Sequence, residues 1–252
     1  MPQVLIHQYT TKEPITMIGF AAGICYNADI TNPEKNYKRG LDCIVSNHGR
    51  TIEFPDVYMT LSGYSARVIR EWYTHLGGAP TRLQASTRYI DYEHGFDYVI
   101  PPSIEQNREA KETYERTMAY IKNSLSRLDD LGIPREDSAM ELPLGMTTVV
   151  VDKRNARNLM DMSRNRMCSR AYHEFQNMFA DVESALRAYS PEWYTLVNLL
   201  FKPKCDILGY CPEKKGCGRH KQRIEDISSA TNPPYTQYEH IGKDDAQSVS
   251  DS

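Results

Sequence analysis

No apolar run in the chain approaches the ~20 residues that a bilayer crossing needs. The opening Met1-Pro2-Gln3-Val4-Leu5-Ile6-His7 also lacks the charged and apolar blocks of a signal peptide. Charge of one sign is missing too: a net charge of −3 over 252 residues argues against a nucleic-acid coat or a membrane-surface protein. Small anions stay within reach, because a phosphate site needs only a few local donors. Cysteine is sparse, with six in all, too few and too scattered for a disulfide scaffold. Cys25, Cys43 and Cys168 stand singly in helical or apolar stretches, the setting of reduced, buried thiols in a cytoplasmic protein. There is no internal repeat. What remains is an ordinary globular balance of 40% hydrophobic and 25% charged residues, enough for one large domain or two small ones. Tyrosine alone is in excess, at 17; its apolar body and polar tip suit subunit contacts and flat ligands alike.

Periodicity divides the chain into helices with a few strands between them, an α+β, helix-rich single domain. Strands are expected at 2–9, 56–62 and 147–152, with a strand-like stretch before Pro101-Pro102. Pro14 and Pro33 open helices in the position where proline's missing donor costs nothing. A helix from about Ser65 places Val68, Ile69, Trp72 and Leu76 on one face and stops at Gly77-Gly78. The clearest helix starts at Ser103, with Gln106 in capping-box position and Tyr114, Met118, Ile121, Leu125 and Leu128 on its apolar stripe, and ends at Gly132. A further helix opens at Pro134. A long one is expected from Asn155 to Arg187, its stripe running through Leu159, Met167, Ala171, Phe175, Phe179, Val182 and Leu186. The folded domain is read as residues 1–221, followed by a polar, disordered tail at 222–252.

Two clusters carry chemistry. The first is Arg70-Glu71-Trp72-Tyr73-Thr74-His75-Leu76-Gly77-Gly78-Ala79-Pro80-Thr81-Arg82-Leu83-Gln84-Ala85-Ser86-Thr87-Arg88-Tyr89. A helix running into glycines and a hydroxyl- and arginine-bearing loop can hold a phosphate through backbone N–H groups, hydroxyls and a forked guanidinium. In an extended loop Ser86 and Arg88 face the same side. The plainer reading is a solvated loop whose hydroxyls bond their own backbone. The second cluster is Leu142-Pro143-Leu144, a short strand, then Arg154-Asn155-Ala156-Arg157-Asn158-Leu159-Met160-Asp161, with Arg164, Arg166, Arg170 and Glu174 beyond. Asn155 and Arg157 lie in a first helical turn, where unpaired donors favour anions. Arg157 with Asp161, and the row Arg166, Arg170, Glu174, also have the spacing of ordinary surface pairs.

Together these motifs resemble the flavin-dependent thymidylate synthase family over residues 1 to about 200. Trp72-Tyr73-Thr74-His75 and Gln84-Ala85-Ser86-Thr87-Arg88-Tyr89 match the two ends of its Arg-His-Arg…Ser-x-Arg signature. Leu142-Pro143-Leu144, Asn155-Ala156-Arg157, Leu159-Met160 and Arg166 match its second motif. His48 and Glu53 fall on a looser His…Glu segment. The departures are Thr74 and Leu76 where the family has arginines, an inserted Gly77-Gly78, Asp161 for asparagine, Arg50 and Phe54, and Ala139 in place of a nucleotide arginine.

The resemblance implies that family's fold, with a small, mostly antiparallel sheet, and an FAD enzyme that methylates dUMP to dTMP with NADPH and 5,10-methylenetetrahydrofolate. It implies a catalytic role for Arg166, at the uracil edge, and no nucleophilic cysteine. It puts dUMP on Glu71, Trp72, Tyr73, Thr74, Gln84, Ala85, Ser86, Thr87, Arg88 and Arg166. FAD falls on His48, Arg50, Thr51, Ile52, Thr74, His75, Leu76, Arg82, Gln84, Asn155, Arg157 and Asp161. It also implies a homotetramer with shared active sites and no nucleic-acid or membrane partner. A methylase or hydroxymethylase of another pyrimidine nucleotide such as dCMP, or a non-catalytic nucleotide- or RNA-binding relative, are the alternatives. Cys205, Cys211, Cys217 and His220 lack the close cysteine pairs of a usual zinc site, and no metal is assigned.

Overall fold

The computed structural model describes residues 2–92 and 94–222. Its elements run β1 (Gln3–Ile6), α1 (Pro14–Cys25), α2 (Pro33–Val45), a 3₁₀ turn (Gly49–Glu53), β2 (Asp56–Ser65), α3 (Ala66–Trp72) and β3 (Thr81–Gln84). Then follow α4 (Pro102–Glu105), α5 (Arg108–Asp130), α6 (Arg135–Ser138), β4 (Thr147–Asn155), α7 (Ala156–Arg166), α8 (His173–Tyr189), α9 (Pro191–Leu200) and α10 (Lys204–Leu208). The chain falls into two compact units, divided between Pro203 and Lys204. Of the expected tail, all but Gln222 lies outside the described residues.

The first unit is built on a four-stranded sheet of order β1-β2-β4-β3, antiparallel throughout. The period-two pattern of β2 sends Val57, Met59 and Leu61 to one face, all fully buried. Against that face pack Ile15 and Ile18 of α1, Val68 and Trp72 of α3, Leu159 and Met162 of α7, Phe175, Phe179 and Val182 of α8, and Trp193 of α9. α1 has no side-chain cap of its own. Glu192 supplies one from α9: its Oε2 accepts the Ile15 and Thr16 N–H groups at 2.7 and 2.9 Å, placing a carboxylate at the helix's positive end. A second, smaller core joins Phe96 and Met146 to Met118 and Leu125 of α5. Among the described residues no helix is long and apolar enough to cross a membrane.

The helix-rich, antiparallel α+β expectation is met; several boundaries are not. β1 is shorter than 2–9, while β2 and β4 run three residues further than expected. α3 ends at Trp72, before the glycine pair: Tyr73, Thr74 and His75 close as turns on Ile69, Glu71 and Trp72, and Leu76 is exposed. The capping box at Gln106 is not formed. Ser103 lies in the short α4, and α5 begins anew with Asn107 accepting from the Ala110 N–H. Cys25 is exposed rather than buried, because it closes the last turn of α1.

The largest difference is the expected 155–187 helix, which is two helices with a break at 167–172. In one continuous helix Arg166 and Phe175, nine residues apart, lie on opposite sides at ~100° per residue. The break folds α8 back so that the guanidinium of Arg166 sits 4.1 Å over the Phe175 ring. Glu174 meanwhile reaches the Ser65 N–H at 2.6 Å and the Ser65 hydroxyl at 2.5 Å. The Arg166, Arg170, Glu174 row therefore does not exist as a helix face.

Candidate active site

The site starts from a sealed scaffold. Along β4 the inward positions are Thr148, Val150, Asp152 and Arg154, and the last two are ionised groups with no solvent exposure. Such a pair survives only if its hydrogen-bonding groups find partners. Asp152 accepts from Arg154 Nε at 2.6 Å and Nη2 at 2.7 Å, and from the Trp72 indole at 2.9 Å. Arg154 Nη1 donates to Asn158 at 2.6 Å, and Asn158 Nδ2 donates to the Gly77 carbonyl at 2.6 Å. The Arg154 guanidinium also lies 4.2 Å over Trp72. This chain of bonds ties the end of α3, the glycine turn and the start of α7 into one rigid piece.

On that piece Arg166 is presented. Its Nη1 donates to Glu71 at 3.0 Å and its Nε to His75 Nε2 at 2.9 Å, while Phe175 backs its face. Because His75 Nε2 accepts, that nitrogen carries no proton. Burial, with help from the Arg166 and Arg154 charges, pushes His75 down to about 4, so the ring is neutral. The Arg166 side chain keeps 19% of its surface, which leaves donor capacity for a planar ligand edge. On the same end of α8 a cavity of about 190 Å³ is lined by Ser65, Arg67, Tyr114, Tyr172 and Glu174, among others.

A second feature is a cradle made by the 3₁₀ turn, the glycine turn and α7. Asn155 caps α7 by accepting the Asn158 N–H at 2.8 Å. Gly78 has φ +73, and a Cβ there would lie 2.3 Å from Asn155 Nδ2. A Cβ on Gly49 would lie 1.7 Å from Arg157 Nη1, so that guanidinium occupies the space the glycine leaves. Arg157 and Arg164 both pair with Asp161, at 3.1 and 3.2 Å. Thr51 is held by its hydroxyl on the His48 carbonyl at 2.7 Å, Ile52 is fully buried beneath, and Arg50 pairs outward with Glu53 at 3.4 Å.

The expected phosphate loop is ordered differently. Thr81–Gln84 is strand β3, with Arg82 in register with Asp152 and Gln84 with Val150. Arg82 lies 4.2 Å over the Tyr73 ring, and its Nη1 is a buried donor with no hydrogen-bond partner among the described residues. Gln84 donates to Thr148 at 3.3 Å and the Ala85 N–H to the Val149 carbonyl at 2.9 Å. Ser86 to Tyr89, Thr87 included, is a turn and not an extended loop. Ser86 Oγ accepts the Arg88 N–H at 3.3 Å, the local bonding that competes with an open conformation. Arg88 pairs with Glu136 at 2.9 Å, well apart in sequence from the Glu71 that holds Arg166. Thr74 turns its hydroxyl back on the Glu71 carbonyl at 2.7 Å, and Trp72 is fully buried behind the site.

Sequence reasoning missed Asp152, Arg154, Asn158 and the Ser65–Glu174 clasp. The signal was present in the strand: two opposite charges, two apart, continue an inward-facing row.

An antiparallel sheet wrapped by helices, with an aromatic-backed arginine beside a glycine-turn cradle, defines an α+β enzyme site suited to a flat, anionic ligand. The family described as Thymidylate synthase complementing protein matches residues 5–192. A flavin-dependent thymidylate synthase from Nitratidesulfovibrio vulgaris is 30% identical, over 84% of this chain and 93% of its own. One from Geobacter sulfurreducens is 26% identical, over 81% and 88%. Among solved structures, a UMP/dUMP methylase, PolB, from Streptomyces cacaoi, bound with 5-Br dUMP, has the same fold, with TM-score 0.64 at 17% identity over 80% and 96%. The chain belongs to the thymidylate synthase complementing protein family of enzymes.

Proposed function

We propose that the chain methylates dUMP to dTMP with FAD, NADPH and 5,10-methylenetetrahydrofolate. The observation that supports this best is Arg166, held on three sides by Glu71, His75 and Phe175 with its remaining donors open. A guanidinium stays charged at any working pH and offers parallel donors to a planar edge. Set at the uracil ring, it stabilises negative charge as that develops during attack by C5. Neutral His75 and anionic Glu71 fix its angle in advance, so no reorganisation is needed at the moment of reaction. None of the six cysteines takes part.

The cradle suits a flavin dinucleotide. Arg157, the Asn155 side chain, the backbone of 74–78 and the unpartnered Nη1 of Arg82 are donors for its diphosphate, and His48 to Ile52 border it. Thr74 and Leu76 bring no guanidinium there, so Arg82 and Arg157 carry that load. When bound, the flavin supplies the hydride. Glu71, Gln84, Ser86, Thr87 and Arg88 hold the nucleotide, with Arg88 leaving Glu136 for its phosphate. This reading includes a cytoplasmic homotetramer in which the Ser86–Arg88 turn of one subunit serves the Arg166 of another, and a catalytic domain running to residue 221.

The test is anaerobic turnover with NADPH and methylenetetrahydrofolate, offering dUMP and dCMP side by side. Formation of dTMP by yellow protein, lost in Arg166→Ala, is the expected result. Colourless protein, or methylation of dCMP alone, overturns it.

A further inference from the structure

The described part of the second unit, Lys204 to Gln222, has little apolar support of its own. Among these residues only Cys211 is buried, and the one helix is the five-residue α10. A stretch with so little burial gains from a further tie such as a metal ion. Exposed ion pairs contribute little and do not replace a core. Yet the segment brings three metal-ligating side chains together. One ligand atom each from Cys205, Asp206 and His220 lies within 4.8 Å of the other two.

We propose that Cys205, Asp206 and His220 hold one zinc-class divalent ion, which fixes the fold of this unit. The donor set of thiolate, carboxylate and imidazole is zinc's, and three protein ligands leave the fourth position to water. The geometry is close to that required. Zinc–ligand bonds of ~2.0–2.3 Å give tetrahedral edges of about 3.4 Å between nitrogen and oxygen and about 3.6 Å between sulfur and oxygen. Asp206 Oδ1 lies 2.7 Å from His220 Nε2 and 3.9 Å from Cys205 Sγ, so these two edges adjust by less than an ångström, and all three ligand atoms lie within 4.8 Å of one another.

The remaining neighbour fits as well. Arg219 donates Nη2 to Asp206 Oδ2 at 2.6 Å and Nε to Oδ1 at 2.9 Å. With the ion on Oδ1, the Oδ2 bond stays and orients the carboxylate from outside, as second partners of metal ligands do. Thiolate and carboxylate together neutralise the dication. The Cys205 thiol proton leaves to solvent, and His220 binds in its neutral form, so uptake releases protons and is stronger at higher pH.

The segment carries three cysteines, Cys205, Cys211 and Cys217, without the close pairs of a usual zinc site, so the cluster rests on its geometry and not on spacing. The three thiols are not equivalent: Cys205 belongs to the cluster, whereas the Cys211 sulfur would lie 3.4 Å from a Cβ on Gly216, inside the turn.

The experiment uses the full chain, stripped with a chelator and titrated with Co²⁺ and then Zn²⁺. The expected result is one equivalent of cobalt with thiolate-to-cobalt charge-transfer absorption, displaced by zinc, together with protection of residues 204–222 from protease. Cys205→Ser abolishes the charge-transfer band, His220→Gln lowers affinity at least about tenfold, and Cys25→Ser changes neither. Wild-type chain that takes up no stoichiometric cobalt or zinc overturns the site, as does binding that is unaltered in Cys205→Ser and His220→Gln. Neither readout depends on catalysis, so this test stands apart from the proposed methylation.

Discussion

Two guanidinium groups in this enzyme are built from the same parts. Arg154 lies 4.2 Å over Trp72 and pairs with Asp152; Arg166 lies 4.1 Å over Phe175 and pairs with Glu71. They differ in closure. The Arg154–Asp152 pair has no exposed side-chain surface, and all three guanidinium nitrogens of Arg154 have partners within the chain. Arg166 has 19% of its side chain open and its Nε on a neutral imidazole. The first group is a strut, the second a tool, and it is the surroundings that make the difference.

Breaking the strut has the largest expected effect. Arg154→Met leaves Asp152 buried and unpaired, which costs ~3–5 kcal/mol. A urea-unfolding midpoint shifted by much less shows that the pair is not sealed. The double variant Asp152→Leu with Arg154→Met removes both charges and recovers part of the loss. Next comes the tool. Arg166→Ala is expected to lower kcat by ~10²–10³, the scale of one preorganised donor to a developing anion. Its unfolding midpoint moves little, since a half-open pair contributes ~0–1 kcal/mol. Equal damage to both properties erases the contrast between the two arginines.

The pH dependence sharpens it further. His75, held near 4 against an ordinary 6.5, is neutral when folded, so the unfolded chain takes up its proton first as pH falls. Its contribution to stability is fully present above pH 6.5 and is lost progressively between 6.5 and about 4. His75→Gln can still accept from Arg166 but does not titrate, so its stability falls less steeply across that window. Parallel curves for the two proteins, measured by urea midpoints at several pH values, show that burial does not hold the ring neutral.

The same contrast explains what was legible beforehand. Pro14 and Pro33 marked the starts of α1 and α2, and the apolar period found the buried stripe of α8 at Phe175, Phe179, Val182 and Leu186, because burial acts residue by residue along the chain. Arg166 came from the family resemblance, since its spacing alone is also that of an ordinary surface row. The break at 167–172 was invisible, because its cause is a stacking of Arg166 on Phe175 and a clasp of Glu174 on Ser65, both tertiary. An unbroken helical stripe continues through the break and conceals it. At Ser86–Arg88 the plainer of the two readings is the one seen, a hydroxyl bonding its own local backbone, while the extended phosphate loop is not formed. The Asp152–Arg154 pair was readable as charges on an inward row, but only once β4 was extended past residue 152.

The smallest expected effect on stability falls on the cradle, where a ligand effect must be separated from a packing one. Arg157 and Asp161 form a helix-surface pair worth ~0.2–0.5 kcal/mol, so deleting Arg157 confounds little stability with the loss of a flavin donor. Gly49→Ala is cleaner, because it keeps every charge. The added Cβ would meet Arg157 Nη1 at 1.7 Å, and what it meets is the mobile tip of a long side chain, which swings aside cheaply. Stability should then change by less than about 1 kcal/mol, as for most substitutions away from the core. Flavin retention through gel filtration should drop, because the guanidinium has lost its place beside the 3₁₀ turn. Retention equal to the parent's means that the tight approach of Arg157 to Gly49 only fills space, and that the diphosphate relies on Arg82 and the glycine-turn amides instead.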